Sequence, residues 1–187
     1  MNWFSSDFHL GHTNLHKKGY RKNIFSSIEE HDEVIIENIF SVIKPGDNFY
    51  FLGDLFFKYS TEEKITFFNR FKKNRVNFHW ILGNHDKPIR HKAIVFIGHI
   101  KDIKIGKQRI TLCHYPMIVW NNSHLGAWQL FGHIHKNDNT DLIFPYERLG
   151  KQLNVNVDFW DFKPVSFEEI EEIMKKKKEN FDILHKT

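Results

Sequence analysis

Short apolar runs along this chain stop repeatedly at an acid, a histidine or a glycine. NWFSS (2–6) runs into Asp7, NFYFL (48–52) into Gly53-Asp54, and NFHWIL (77–82) into Gly83-Asn84-His85-Asp86. RITLC (109–113) runs into His114, WQLF (128–131) into Gly132-His133-Ile134-His135, and NVNV (154–157) into Asp158. Runs of this length, rich in β-branched and aromatic residues, predict strands. Each polar cluster then falls at the C-terminal end of a strand, where open α/β sheets bind ligands.

Helical spacing separates some of these runs. From Ser27, the positions Ile28, Ile35, Ile39 and Val42 follow three- and four-residue steps or their multiples, and Ser27 with Glu30 predicts a capping box. Ser60 with Glu63 opens a second helix with Ile65 and Phe68 facing inward; Ser166 with Glu169 opens a third with Phe167, Ile170, Ile173 and Met174. Pro45-Gly46 ends the first helix. Between Ile100 and Leu112 two alternating runs flank Gly106-Lys107 and predict a β-hairpin. There is no internal repeat, low-complexity tract or linker. A β-α-β start followed by a strand-rich second half predicts a single α/β domain over 1–187. Its expected architecture is two packed mixed β-sheets flanked by helices, a four-layer α-β-β-α sandwich.

Composition narrows the class. At 187 residues the chain can bury a core without staples. No stretch approaches the roughly 20 apolar residues of a membrane span, so no membrane association is expected. One cysteine, Cys113, excludes an internal disulfide. With no signal peptide visible ahead of Asp7, a cytoplasmic location is expected. The net charge of +4 comes largely from Lys72, Lys73, Arg75 and the run Lys175 to Lys178, which read as solvated helix faces. Binding to nucleic acid is the alternative that a pI near 9.0 leaves open. The 19 phenylalanines fill a core, but 13 histidines exceed what a core or a surface needs.

Collected at the predicted strand ends are Asp7, His9, Asp54, Asn84, His85, Asp86, His114, His133 and His135. Carboxylate and carbonyl oxygens mixed with imidazoles suit Mn²⁺, Fe, Zn²⁺ or Ni²⁺. Strand alternation turns Cys113 toward the core and His114 toward the cleft.

In this order DFH, GDLF, GNHD, CHYP and GHIH resemble the motifs D-x-H, G-D, G-N-H-D/E, H and G-H-x-H of the calcineurin-like metallophosphoesterases. The later NVNVDFW and KPVSFEEI are similar to the C-terminal part of small bacterial and phage members. The resemblance covers almost the whole chain and implies two divalent metal ions, Mn²⁺ before Fe, Zn²⁺ or Ni²⁺. Asp7, His9 and His135 would hold the first, Asn84, His114 and His133 the second, and Asp54 would bridge both, screening the repulsion between ions roughly 3.5–4 Å apart. His133 and His135, two apart, would share a face of one strand. Gly53, Gly83 and Gly132 would allow close backbone approach beside the site. The implied reaction is in-line attack of a metal-bridging hydroxide on phosphorus. His85 would assist the leaving group, and Asp86 would hold its imidazole in the charged form.

Around that set, His12 and Asn14 are expected near the phosphate. Asp158 reads either as a turn residue or as a partner to a metal histidine. His16, His31, His79, His91, His99, His124 and His185 read as structural or surface. In the segment from Tyr115 to Phe131, Tyr115, Trp120 and Trp128 are candidates to stack a nucleobase, Trp120 the foremost, while Trp128 is expected to pack in the core. Arg21 and Lys22 are expected to meet a second phosphate. Three functional readings follow. The first is a phosphodiesterase or phosphatase acting on a small, nucleotide-like ester. The second is a nuclease or nucleic-acid end-processing enzyme. The third is a non-catalytic scaffold, disfavoured because every ligand and His85 are present.

Overall fold

A parallel ladder opens the fold. In the computed structural model, which describes residues 1–15, 21, 24–136 and 150–179, β1 (Asn2–Ser5) pairs with β2 (Asn48–Leu52), β2 with β3 (Asn77–Ile81), and β3 with β4 (Ile94–Gly98). β9 (Val165–Ser166) joins antiparallel on the far side of β1, giving the order β4-β3-β2-β1-β9. The second sheet runs β5-β6-β7-β8, from β5 (Ile100–Ile105), β6 (Gln108–Cys113), β7 (Trp128–Phe131) and β8 (Gln152–Asn154). Its first pair is the expected hairpin: Ile105 faces Gln108 across Gly106-Lys107, and Gly106 takes a φ of +57°. The other two pairings are parallel. His16, Lys22 and His185 lie outside the described residues.

Alternation sends successive residues of the first sheet to opposite faces. Trp3, Phe49, Phe51, Phe78 and Trp80 pack under α1 (Ile28–Val42) and α2 (Thr61–Lys73), against Ile35, Ile39, Phe67, Phe68 and Phe71. Phe4, Tyr50, Leu52 and Ile81 face the other way and meet Ile110, Leu112, Trp128, Leu130 and Leu153 of the second sheet. Strands buried on both faces explain why these runs are continuously apolar. α3 (Phe167–Lys176) adds Ile170 and Met174 to the inter-sheet cluster. Trp128 belongs to that cluster, as expected, and stacks on Phe167. The α/β class, with two packed mixed sheets and flanking helices, is as the sequence predicts.

On the outer face of the second sheet, Gln129 and Gln152 are fully buried beneath the segment 115–127. Gln129 donates to Tyr115 O at 2.8 Å and accepts from Met117 N at 2.9 Å; Gln152 donates to Met117 O. These amides satisfy the backbone of an irregular segment that would otherwise carry unpaired groups into a buried place. Cys113 is buried too, but strand alternation places it on this outer face with Thr111, away from the inter-sheet cluster.

Two local expectations change. The Ser27 side chain caps Glu30 N, yet the Glu30 carboxylate returns to Ser26, so that box closes one residue early. The boxes at Ser60 and Ser166 close fully. Ile65 is 40% exposed, because α2 turns Phe67, Phe68 and Phe71 inward and Ile65 lies more than a quarter-turn away from that face. No helix among the described residues is long and apolar enough to cross a membrane.

Candidate metal centre

The loops leaving β1, β2, β3, β6 and β7 converge at the C-terminal edge between the two sheets. The first two are stitched together: Asp7 N donates to Gly53 O, His9 N to Asp54 O and Leu10 N to Leu55 O, at 2.8 to 3.0 Å. Asp7, His9 and Asp54 all take positive φ, at 60°, 52° and 61°, and His133 does so at 67°. Left-handed backbone costs a non-glycine residue roughly 1–2 kcal/mol. Concentrating it on four side chains that point into one place is the kind of strain that functional sites hold.

Two triads result. In the first, His9 Nε2 faces His135 Nε2 at 3.1 Å, and Asp7 Oδ1 lies 3.7 Å from His135 Nε2 and 3.9 Å from His9 Nε2. In the second, His133 Nδ1 faces His114 Nε2 at 3.2 Å, and Asp54 Oδ2 lies 3.5 Å from His114 Nε2. The same Asp54 oxygen is 3.6 Å from His9 Nε2, so it looks into both groups. Asn84 Oδ1 stands 3.2 Å from His114 Nε2 on the second side.

These donor sets fit divalent cations. Burial drives the His9 pKa well below the usual histidine value, with the neighbouring His135 adding to the effect, so its ring is neutral and offers a lone pair. His9 Nδ1 is buried with no hydrogen-bond partner. Two nitrogens on one ion, with bonds of about 2.1 Å, stand about 3.0–3.4 Å apart, and both imidazole pairs fall in that range. Burial pushes the Asp7 carboxyl up to about 6; the Asp54 charge works in the same direction, against His135, His114 and the Ser6 hydroxyl. A cation between the triads would reverse that penalty.

The side chains of the triads are aimed from behind. His114 Nδ1 pairs with Leu52 O at 2.8 Å, leaving Nε2 for the site. His135 Nδ1 pairs with Asp158 Oδ2 at 2.8 Å, and Asp158 Oδ1 takes a 2.6 Å hydrogen bond from Arg21 Nε. Burial alone would raise the Asp158 carboxyl; the Arg21 guanidinium and His135 outweigh it and hold the group below its usual range. Arg21 also donates to Asp7 O and Phe8 O, and meets His31 Nε2 at 2.8 Å. The network continues from His31 to Asp32, which accepts from Gly11 N and Tyr59 Oη. A Cβ on Gly53 would collide with the His114 ring, and one on Gly83 with the Asp54 carboxylate.

The structure thus brings together Asp7, His9, Asp54, Asn84, His114, His133 and His135. His133 and His135 reach their separate triads by another route than strand alternation. β7 ends at Phe131, and the positive φ at His133 turns the chain. His85 sits at the open edge, with its N–H on Asp54 Oδ1 at 2.9 Å and its ring 5.5 Å from that of His9. Asp86 does not hold that imidazole. Its carboxylate accepts from Asp54 N, Leu55 N, Gly83 N and Trp80 Nε1, tying the loops after β2 and β3 together. Arg21 does not meet a phosphate: it is 1% exposed and lies behind the ligands. Trp120 offers no free stacking face: it is 6% exposed, with Nε1 donating to Ala127 O. His12 is at the rim, stacked on Phe57, and Asn14 is exposed beside it with its N–H 3.4 Å from His12 Nδ1.

Sequence reasoning missed the His31–Asp32 pair. The signal was present, since positions 28, 31, 32 and 35 form one helical face and put two polar residues on the buried side of α1. It also missed Phe57, to which no pattern drew attention.

No family model matches the chain. It is 31% identical over 175 residues to the uncharacterised protein MJ1445 of Methanocaldococcus jannaschii, an alignment covering 92% of this chain and 90% of that one. The crystal structure of AQ665, a protein of unknown function from Aquifex aeolicus, has a TM-score of 0.66 at 25% identity, covering 92% of this chain and 98% of the other. YfcE, a phosphoesterase from E. coli, gives a TM-score of 0.39 at 15% identity over 83% of this chain and 77% of its own, a likeness too slight to argue from.

Proposed function

The chain belongs to one family with MJ1445 of M. jannaschii, and we propose that it is a two-metal phosphoesterase of the calcineurin-like kind. It would hydrolyse a small phosphodiester or phosphomonoester, nucleotide-like substrates included. The observation that carries this reading is Asp54, whose Oδ2 lies 3.5 and 3.6 Å from a histidine nitrogen of each triad. A carboxylate shared between two Asp/His/His groups is what a pair of close cations requires, and no single-ion site needs it.

Asp7, His9 and His135 would hold one ion, Asn84, His114 and His133 the other, and Asp54 both; Mn²⁺ suits the mixture of oxygen and imidazole donors. Such ions neutralise phosphoryl oxygens and supply hydroxide at neutral pH. The chain's own residues supply the rest. His85 belongs to neither triad and stands exposed beside them, so it can carry a proton at the imidazole for the departing oxygen, a role typically worth ~10²–10⁴-fold. Its backbone bond to Asp54 fixes its distance from the bridging carboxylate. Asp86 contributes by locking the two loops that carry Asp54 and His85. His12 and Asn14 stand where a bound phosphate would leave the site. A cytoplasmic setting belongs to the same reading, in keeping with the buried free thiol of Cys113.

The test is hydrolysis of bis-p-nitrophenyl phosphate beside p-nitrophenyl phosphate, using chelator-stripped protein with Mn²⁺ added back. Mn²⁺-dependent cleavage of the diester alone identifies a phosphodiesterase, and cleavage mainly of the monoester a phosphatase. Cleavage of neither by protein carrying two ions overturns the reading.

A further inference from the structure

Phe57 is an exposed ring with no core to serve. The chain alternates after the Gly53-Asp54 turn: Phe56 is 4% exposed and packs on Phe67, Phe68 and Trp80, while Phe57 is 40% exposed and points outward. A single exposed phenylalanine is ordinary; its neighbours here are not. The His12 ring lies on it, with centroids 3.9 Å apart and planes 29° from parallel. The His85 ring meets it edge-on at 5.5 Å. Both histidines in turn stand edge-on to the ligand His9, at 6.0 and 5.5 Å. The Phe57 N–H donates to Leu10 O at 2.8 Å, which fixes the backbone from which the ring projects beside His12 and His85.

Resting on the phosphoesterase reading, we propose that Phe57, with His12 stacked on it, is the specificity-determining surface of the site. The substrate it selects carries a flat aromatic ring close to its phosphate. A phosphate between the triads directs its ester group outward past His85 and His12, and the next surface is this two-ring stack. Aromatic rings gain from an offset or edge-on partner there, and an alkyl or sugar group gains far less. The opposite rim differs. Tyr115 is exposed near His133, but its hydroxyl is engaged with Asn84 Oδ1, which fits it for polar contact with the phosphate side.

The experiment is calorimetric titration of Mn²⁺-loaded protein with phenylphosphonate and methylphosphonate, in the wild type, Phe57→Ala and Phe57→Trp. A second pair, the non-hydrolysable methylenephosphonate analogues of adenosine 5′-monophosphate and ribose 5-phosphate, tells a base reaching the stack across a ribose from a ring attached directly. The wild type is expected to prefer the aromatic member of at least one pair by about fivefold or more, the low end for a ring stacked on a side chain. In Phe57→Ala that ratio falls toward one, and in Phe57→Trp it is kept or raised. Because Phe57 lies outside the core, its replacement leaves the fold intact. Equal affinities within both wild-type pairs, or a preference that survives in Phe57→Ala, overturn the proposal. Preference without hydrolysis of any ester defeats the phosphoesterase reading and leaves the aromatic surface standing. Hydrolysis without preference does the reverse, and the absence of binding by every member of both pairs overturns the aromatic surface while hydrolysis alone decides the phosphoesterase reading.

Discussion

Asp7 is the residue at which site and stability pull hardest against each other. Its side chain is fully buried, and its carboxyl is pushed from 3.8 up to about 6 by that burial. The folded protein therefore holds this proton more tightly than the unfolded chain, and between pH 3.8 and about 6 it binds more protons. Stability contributed by Asp7 is present below that window and is lost as pH rises through it. A rise of about two units, at 1.36 kcal/mol each, amounts to about 3 kcal/mol at neutral pH in the absence of metal. Asp7→Asn removes the charge and keeps one oxygen for His133 N, while its amide can donate to Ser6 Oγ, which now donates to Asp7. Part of the 3 kcal/mol should return, about 1–2 kcal/mol, or roughly 2–8 °C in Tm for a chain of this size. Thermal melts with chelator at pH 7.5 should show the variant more stable than wild type, with the gain gone by pH 4. With saturating Mn²⁺ the order should reverse, since a charged carboxylate holds a divalent cation more tightly than a neutral amide oxygen does. A chelated variant less stable than wild type at both pH values would refute the argument, because it would make the carboxylate a structural asset without metal.

Asp54→Asn should lose at least ~10²-fold in turnover and weaken both ions, whereas His85→Ala should lose ~10²–10⁴-fold and keep both; kinetics together with metal stoichiometry separate the two. His133→Ala should weaken one ion only. Asp158→Asn, which leaves His135 Nδ1 without its carboxylate partner, should weaken Mn²⁺ at the first triad by about 10–100-fold, with the second triad unchanged in a two-site titration. Ser166→Ala removes the cap that α3 receives at Glu169 N and should cost about 0.5–2 kcal/mol in denaturant melts, leaving metal affinity alone.

The clustering of these acids and histidines was legible because each group follows an apolar run, and a strand that ends at a polar residue announces the edge of a sheet. The three parallel pairings of the first sheet then bring edges distant in sequence to one place. What could not be read was how the chain behaves beyond those edges. GHIH reads as strand, but its first histidine takes a left-handed turn, a backbone choice that side-chain periodicity does not encode. Asp86 stands next to His85 and invites a paired reading. Its partners are instead three backbone N–H groups and the Trp80 indole, two of the backbone groups 31 and 32 residues away, which become neighbours only once β2 and β3 are aligned. The buried glutamines of the second sheet were invisible for the same reason, since they answer the backbone of a loop laid over them.

Arg21 shows the limit most clearly. A basic residue shortly after a D-x-H motif suggests an anion in front of it, and electrostatics alone would place it facing a phosphate. The fold gives Arg21 a buried anion instead, Asp158, and its terminal nitrogens go to the carbonyls of Asp7 and Phe8 and to the His31 ring. A guanidinium with four of its five N–H groups paired and 1% exposure is closed off from a substrate in the cleft by burial. Its charge instead lowers the carboxyl that orients His135, so it acts on the site at one remove. Such a residue can be anticipated only by first asking which buried face would receive it, and that answer lay in the overlooked His31–Asp32 pair on the inward side of α1, whose His31 meets the Arg21 guanidinium.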